Sequence, residues 1–116
     1  MAKKLTTLSE ETVDYKEGQR NYLFLCPGCK TGHVVTTHWA PANRLAYEAK
    51  HHQSAPVWAF NNDLEKPTFR NSILYTYDRT GSGRIVCHSF VTDGQIKFLP
   101  DCTHYLSGQT VDLADV

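Results

Sequence analysis

The sequence predicts a mainly β fold, a small antiparallel β domain with one short helical insertion. Three observations predict it. Apolar and β-branched runs of strand length recur along the chain, separated by turns rich in Gly, Pro, Asn and Asp. The turn Cys26-Pro27-Gly28-Cys29 lies between two such runs rather than at the head of a helix. Only one stretch, "PANRLAYEAKHH" at 41–52, carries helical spacing, through Leu45, Ala46 and Ala49, with Pro41 suited to a first helical turn.

Each element follows in order. "RNYLFLC" (20–26) is aromatic and apolar and ends in the Cys-Pro-Gly-Cys turn; "HVVTTHW" (33–39) resumes with β-branched residues, so the two read as a hairpin bent around that turn. The helix at 41–52 then interrupts the strand pattern, as an excursion from the sheet. "PVWAF" (56–60) reads as a short strand and "NNDLEKP" (61–67) as a turn. "TFRNSILYTY" (68–77) is a strand, and "DRTGSG" (78–83) a flexible link. "RIVCHSFV" and "QIKFL", joined at Asp93-Gly94, form the clearest hairpin signal. "PDCTHYLSGQ" (100–109) is a loop, and "TVDL" (110–113) a last edge strand.

A chain of 116 residues fits one domain, 1–116, with a modest core. Its 12 basic and 12 acidic residues cancel, which argues against nucleic-acid binding driven by bulk charge. The aromatic residues Trp39, Trp58, Phe60, Tyr75 and Tyr77 read mostly as core or strand residues, with an RNA-stacking face as the alternative. No apolar run is long enough to span a bilayer, and "MAKKLTTLSEE" lacks the apolar stretch of a secretory signal. The expectation is a cytoplasmic protein with no membrane partner, where cysteines serve as metal ligands more often than as disulfides.

Zinc takes four soft or borderline ligands in a tetrahedron, and a Cys-x-x-Cys turn supplies two of them. Cys26 and Cys29 fit that role as a zinc knuckle. The simplest second pair is Cys87, in the late hairpin, and Cys102, in the loop after it. Closing that hairpin at Asp93-Gly94 sets Cys87 opposite roughly Lys97 to Leu99, with Cys102 a few residues beyond. A redox pair is the competing reading, but such pairs open a helix. Histidines crowd each cysteine: His33, His88 and His104 are each placed to replace a cysteine ligand. Neighbours on a strand point to opposite faces, so Cys87 and His88 do not share one ion. Histidines left free of the metal are hydrogen-bonded packing groups, or general bases.

A serine nucleophile needs a base in hydrogen-bond reach and an acid that orients the base. Ser72 and Ser89 are the candidates. His88 or His104 serves as base and Asp101 or Asp93 as acid. No Gly-x-Ser-x-Gly elbow is present.

"CPGCKTGH", "WAFNNDLEKPTFRNSIL", "CHSFVTDGQIKFLPDCTH" and "LSGQTVDL" together resemble a family of small phage and bacterial Cys/His proteins, over about residues 20 to 113. Its members often carry the label ammonia monooxygenase, which this size and composition do not support. The resemblance implies Cys26, Cys29, Cys87, His88, Cys102 and His104 as metal-type residues and marks Ser72, with the segment 38–56, which carries the helix, as an insertion. Where the family has proline before that serine, this chain has Asn71. More distant relatives sit beside bacterial ubiquitin-like conjugation genes as peptidases of the modifier. They have a late Cys and a Ser-His pair, where this chain has Cys87-His88-Ser89.

The reading is therefore a zinc-binding hydrolase, most simply a peptidase acting on a protein tail, with a ubiquitin-like tail as the implied substrate. Ser72, His88, His104 and Asp101 are its catalytic candidates; Cys26, Cys29, Cys87 and Cys102 its metal ligands. The alternative is a non-catalytic zinc-stabilised module that binds a host protein or nucleic acid.

Overall fold

The computed structural model describes residues 2–79 and 83–116. Its mainly β, antiparallel character is the one the sequence predicts. Chain order is β1 (Thr6–Thr7), α1 (Val13–Lys16), β2 (Arg20–Cys26), β3 (Thr31–His38), α2 (Pro41–His51), β4 (Phe69–Arg79), β5 (Gly83–Thr92), β6 (Gln95–Phe98) and β7 (Thr110–Asp112). The strands form two sheets, ordered β1-β2-β3 and β4-β5-β6-β7, with every pair antiparallel.

The β2–β3 hairpin forms because alternate residues face a common core: Phe24, Cys26, His33 and Val35 are buried while Leu25 and Val34 are exposed. Its turn closes through the Lys30 N–H to the Cys26 carbonyl at 2.8 Å, with Lys30 at φ 57°. In the second sheet the same alternation buries Ile73, Cys87, Ser89, Val91, Ile96 and Phe98. These residues pack with Leu5, Phe24, Val35, Phe69 and Leu113 as one core between the sheets.

The β5–β6 hairpin turns at Asp93 (φ 51°) and Gly94 (φ 78°), the double positive φ of a tight two-residue turn. It is anchored rather than free: Gly94 N–H donates to the Pro67 carbonyl at 2.9 Å, and Asp93 N–H to Thr68 Oγ1 at 2.9 Å. α2 lies within the expected insertion, begins on Pro41 and stops at His52, whose left-handed conformation (φ 53°) ends it. None of its residues is fully buried.

The structure departs from the sequence reading in particular places. "PVWAF" is not a strand but a strap with a single bridge, Phe60 to Phe69. Its backbone groups are split between the sheets: Trp58 N–H donates to Thr36 O at 3.1 Å, and Ala59 O accepts from Arg70 N–H at 2.9 Å. Of the expected link 78–83, Asp78, Arg79 and Gly83 already belong to strands, while Thr80, Gly81 and Ser82 lie outside the described residues. β1 and α1 have no apolar periodicity to announce them. Thr12 caps α1, its Oγ1 accepting from the Tyr15 N–H at 3.3 Å. No described helix is long and apolar enough to cross a membrane.

Candidate metal centre and reactive face

β5 is the element around which both candidate sites are built. Its inward residues include Cys87 and its outward ones His88, so two neighbours with different chemistry open on opposite sides of one sheet.

On the inward side, Cys26, Cys29, Cys87 and His104 bring one donor atom each to within 4.8 Å of one another. The Cys26 and Cys87 Sγ atoms are 3.8 Å apart. A tetrahedral site with metal–sulfur bonds of about 2.3 Å has sulfur–sulfur edges of about 3.8 Å. The Cys29 N–H points at Cys26 Sγ, 3.4 Å away, the way a knuckle turn stabilises a thiolate. His104 Nε2 is buried with no hydrogen-bond partner, an orphan that a metal would satisfy. Gly28 is the cradle: a Cβ there would lie 2.5 Å from His104 Nε2 and 2.6 Å from Nδ1, so only glycine lets the ring enter. The His104 Nδ1 is already committed, accepting from the Leu106 N–H at 3.2 Å, which leaves Nε2 as the free donor. Donor chemistry, spacing, orphaned atom and cradle all fit a metal ion of the kind that takes three thiolates and an imidazole.

The clustered sulfurs perturb one another in opposite directions. The Cys26 thiol is pushed down to about 4 by its hydrogen bond with Cys87, against the cost of burial, with help from His33 and the Cys29 amide. The shared hydrogen bond with Cys26, then burial, pushes the Cys87 thiol up. Burial raises Cys29, against a hydrogen bond from Tyr77. Burial lowers His104, the direction that favours the neutral imidazole. His33 is buried behind Cys26, stacked on Tyr75 with ring centroids 4.1 Å apart, and its Nε2 also lacks a partner.

The sequence reading placed Cys102 in the fourth metal position and His104 among the catalytic residues. The structure brings His104, rather than Cys102, to Cys26, Cys29 and Cys87. Cys102 Sγ accepts from the His88 N–H at 3.2 Å and donates to the His88 carbonyl at 3.1 Å, pairing with β5 as though it were backbone. The cause is register. β5 and β6 pair only from Thr92–Gln95 to Ser89–Phe98, so Cys87 lies beyond the end of β6 rather than opposite Lys97 to Leu99. The loop after β6 therefore runs along the edge of β5. Leu99 N–H and Thr103 N–H donate to the carbonyls of His88 and Val86. Cys102 stays in the plane of the sheet, and the chain reaches the inner side two residues later, at His104.

On the outward side, His88 Nδ1 lies 3.0 Å from Asp101 Oδ2, a pair 25% and 55% exposed. Ser72 is on the neighbouring strand. Leu74 stands opposite His88 and Ile73 opposite the buried Ser89. Alternation back from Ile73 sets Ser72 on the His88 side of the sheet, diagonal to His88, with no hydrogen bond between the two side chains. Ser72 follows a bulge: Phe69 pairs with Val91 but Ile73 with Ser89, and Asn71 adopts φ 74°. Asparagine is among the few residues that tolerate that conformation, which proline in the family position would not. The strap holds the bulge, since Trp58 Nε1 donates to the Ser72 carbonyl at 3.2 Å. Ser89 is 1% exposed and faces the core, and Asp93 is in the hairpin tip, so neither joins this group.

Two antiparallel sheets with a buried Cys/His cluster able to hold a metal ion, and with His88 of β5 paired to Asp101 on the other face, define a small β protein. The family described as bacterial ubiquitination-like system serine protease (BubE) matches residues 2–99, and the chain belongs to that family. No curated protein and no solved structure matches it.

Proposed function

We propose that this protein is a serine peptidase that cleaves a protein tail within a bacterial ubiquitin-like conjugation system, with Ser72 as nucleophile, His88 as base and Asp101 as the acid that orients the base. The observation that carries this reading is the 3.0 Å contact from His88 Nδ1 to Asp101 Oδ2 on the face that Ser72 shares. The Asp101 carboxylate accepts a hydrogen bond from Nδ1–H and fixes the tautomer in which Nε2 is the acceptor. His88 Nε2 takes the hydroxyl proton as Ser72 Oγ attacks the scissile carbonyl carbon. The same proton passes to the leaving amine as the carbon–nitrogen bond breaks, and water then releases the acyl group from Ser72 by the reverse sequence. His104 is not the base in this scheme.

Zinc is the metal we assign to Cys26, Cys29, Cys87 and His104. Its chemistry there would be structural: held by those four residues, it would tie the β2–β3 turn to β5 and to the loop that carries Asp101. The family supports a protein partner, and the ubiquitin-like tail as substrate is part of the proposal.

A serine-reactive phosphonate tests the reading. It labels Ser72 and not the buried Ser89, and labelling is lost in Ser72→Ala and His88→Ala while zinc content and melting temperature stay those of the parent. Labelling of another residue, or unchanged labelling in His88→Ala, overturns it.

A further inference from the structure

β4 is the outer strand of its sheet, so one side of its backbone has no neighbouring strand. Which groups lie on that side follows from two independent hydrogen-bond sets. The Ser72 carbonyl points outward, since it accepts from Trp58 Nε1. A trans peptide plane then turns the Ile73 N–H toward β5, and the N–H and C=O of Leu74 outward again. From the other strand, His88 and Val86 direct their backbone groups away from β4, toward Leu99, Cys102 and Thr103. Leu74 opposite His88 and Thr76 opposite Val86 are thus the pairs not hydrogen-bonded across β4–β5. Their own N–H and C=O groups face the open edge, and among the described residues none of them has a partner. Both residues are exposed, Leu74 to 57%.

The strap 57–60 covers this edge only at its start. Ala59 receives Arg70 and Trp58 holds Ser72, and there the cover ends. The open stretch therefore begins at the residue after Ile73, on the very strand that carries Ser72. Exposed edges of this kind are normally blunted by charge, proline or a covering loop, and the stretch from Ile73 to Tyr77 holds neither charge nor proline.

We propose that the free edge of β4 at Leu74 and Thr76 is the substrate-docking edge, which takes an extended peptide as an added strand and delivers its scissile bond to Ser72. The inference rests on the peptidase reading above and names its substrate class: an unstructured tail with free backbone amides, not a folded loop. Main-chain pairing with Leu74 and Thr76 supplies the affinity, and the Leu74 side chain, on the His88 face, supplies an apolar contact beside the scissile bond. A second copy of the chain, pairing β4 to β4, is the competing occupant. The position of Ser72 on the same strand favours the peptide.

The test compares Ser72 labelling by a minimal fluorophosphonate with labelling by an Ala-Ala-Leu phosphonate and by its backbone N-methylated form. With the parent protein, the peptidyl probe reacts about 10- to 100-fold faster than the minimal one, the effect of one or two added hydrogen bonds, and N-methylation removes the advantage. Thr76→Pro deletes one outward N–H and obstructs the edge, at a kind of position where proline is tolerated in sheets. In that variant the ratio of peptidyl to minimal rate falls to about one, with zinc content and far-UV circular dichroism confirming the fold. If Thr76→Pro fails to fold, the N-methylated probe on the parent protein decides. An advantage that survives N-methylation overturns the docking edge while leaving the peptidase reading intact. A parent dimer that Thr76→Pro dissociates assigns the edge to a second copy and also overturns it. If neither probe labels Ser72, the peptidase reading itself fails.

Discussion

The two faces of β5 differ in what they ask of the sequence. The inner face holds Cys87 among Cys26, Cys29 and His104, all drawn from distant parts of the chain and gathered in a buried site. The outer face holds His88 beside Asp101, with Ser72 on the neighbouring strand, all half-buried or exposed. One residue step along a strand separates a side chain of the buried Cys/His cluster from one on the solvent side. On the peptidase reading proposed above, the difference teaches that stability and chemistry are divided by pleat rather than by domain, within a single sheet.

The comparison breaks first at the inner face. Cys87→Ser removes a ligand from a site whose metal, if structural, is worth about 10–16 kcal/mol. That matches or exceeds the 5–15 kcal/mol stability of a whole domain, so the variant should lose its metal and unfold in a calorimeter or by circular dichroism. The opposite result belongs to the outer face. Asp101→Asn leaves His88 unoriented, and peptide cleavage should fall by about 10²- to 10⁴-fold. Because the His88–Asp101 pair is largely exposed, the melting curve should shift by no more than about 1 kcal/mol. A large loss of stability would show that this pair belongs to the clamp.

Cys102→Ser is the smallest effect and the sharpest discrimination. A hydroxyl can take over the donation to the His88 carbonyl and the acceptance from its N–H, so the cost should be about 1 kcal/mol or less. Zinc content should remain full, whereas in His104→Ala it should drop. Loss of zinc in Cys102→Ser would return the fourth position to that cysteine.

What the sequence made legible was local. Alternation marked β2, β3, β4 and β5, Asp93-Gly94 marked a hairpin, and Cys-Pro-Gly-Cys marked a knuckle. All three are signals a few residues long. The choice between Cys102 and His104 was not legible, because it turns on where β6 ends. Phe98 closes the ladder two residues too early for Cys87 to have a partner across the hairpin. The cradle at Gly28 and the orphaned His104 Nε2 exist only once the two segments meet. The bulge at Asn71 had one faint signal, an asparagine at a family proline, and its consequence depends on the Trp58 strap, which the sequence presents as a strand. Nor could alternation alone say which strand would be left with an open edge.

The separation of the two faces is tested most directly by the X-ray absorption spectrum of the bound metal in protein purified without added zinc. A filled shell of three sulfurs at about 2.3 Å and one nitrogen at about 2.0–2.1 Å is the result expected for a structural ion held by Cys26, Cys29, Cys87 and His104. Four sulfurs would put Cys102 back in the site, and an oxygen in the shell would mean an open position. Such a metal would belong to the chemistry, and the division of labour between the faces of β5 would be contradicted.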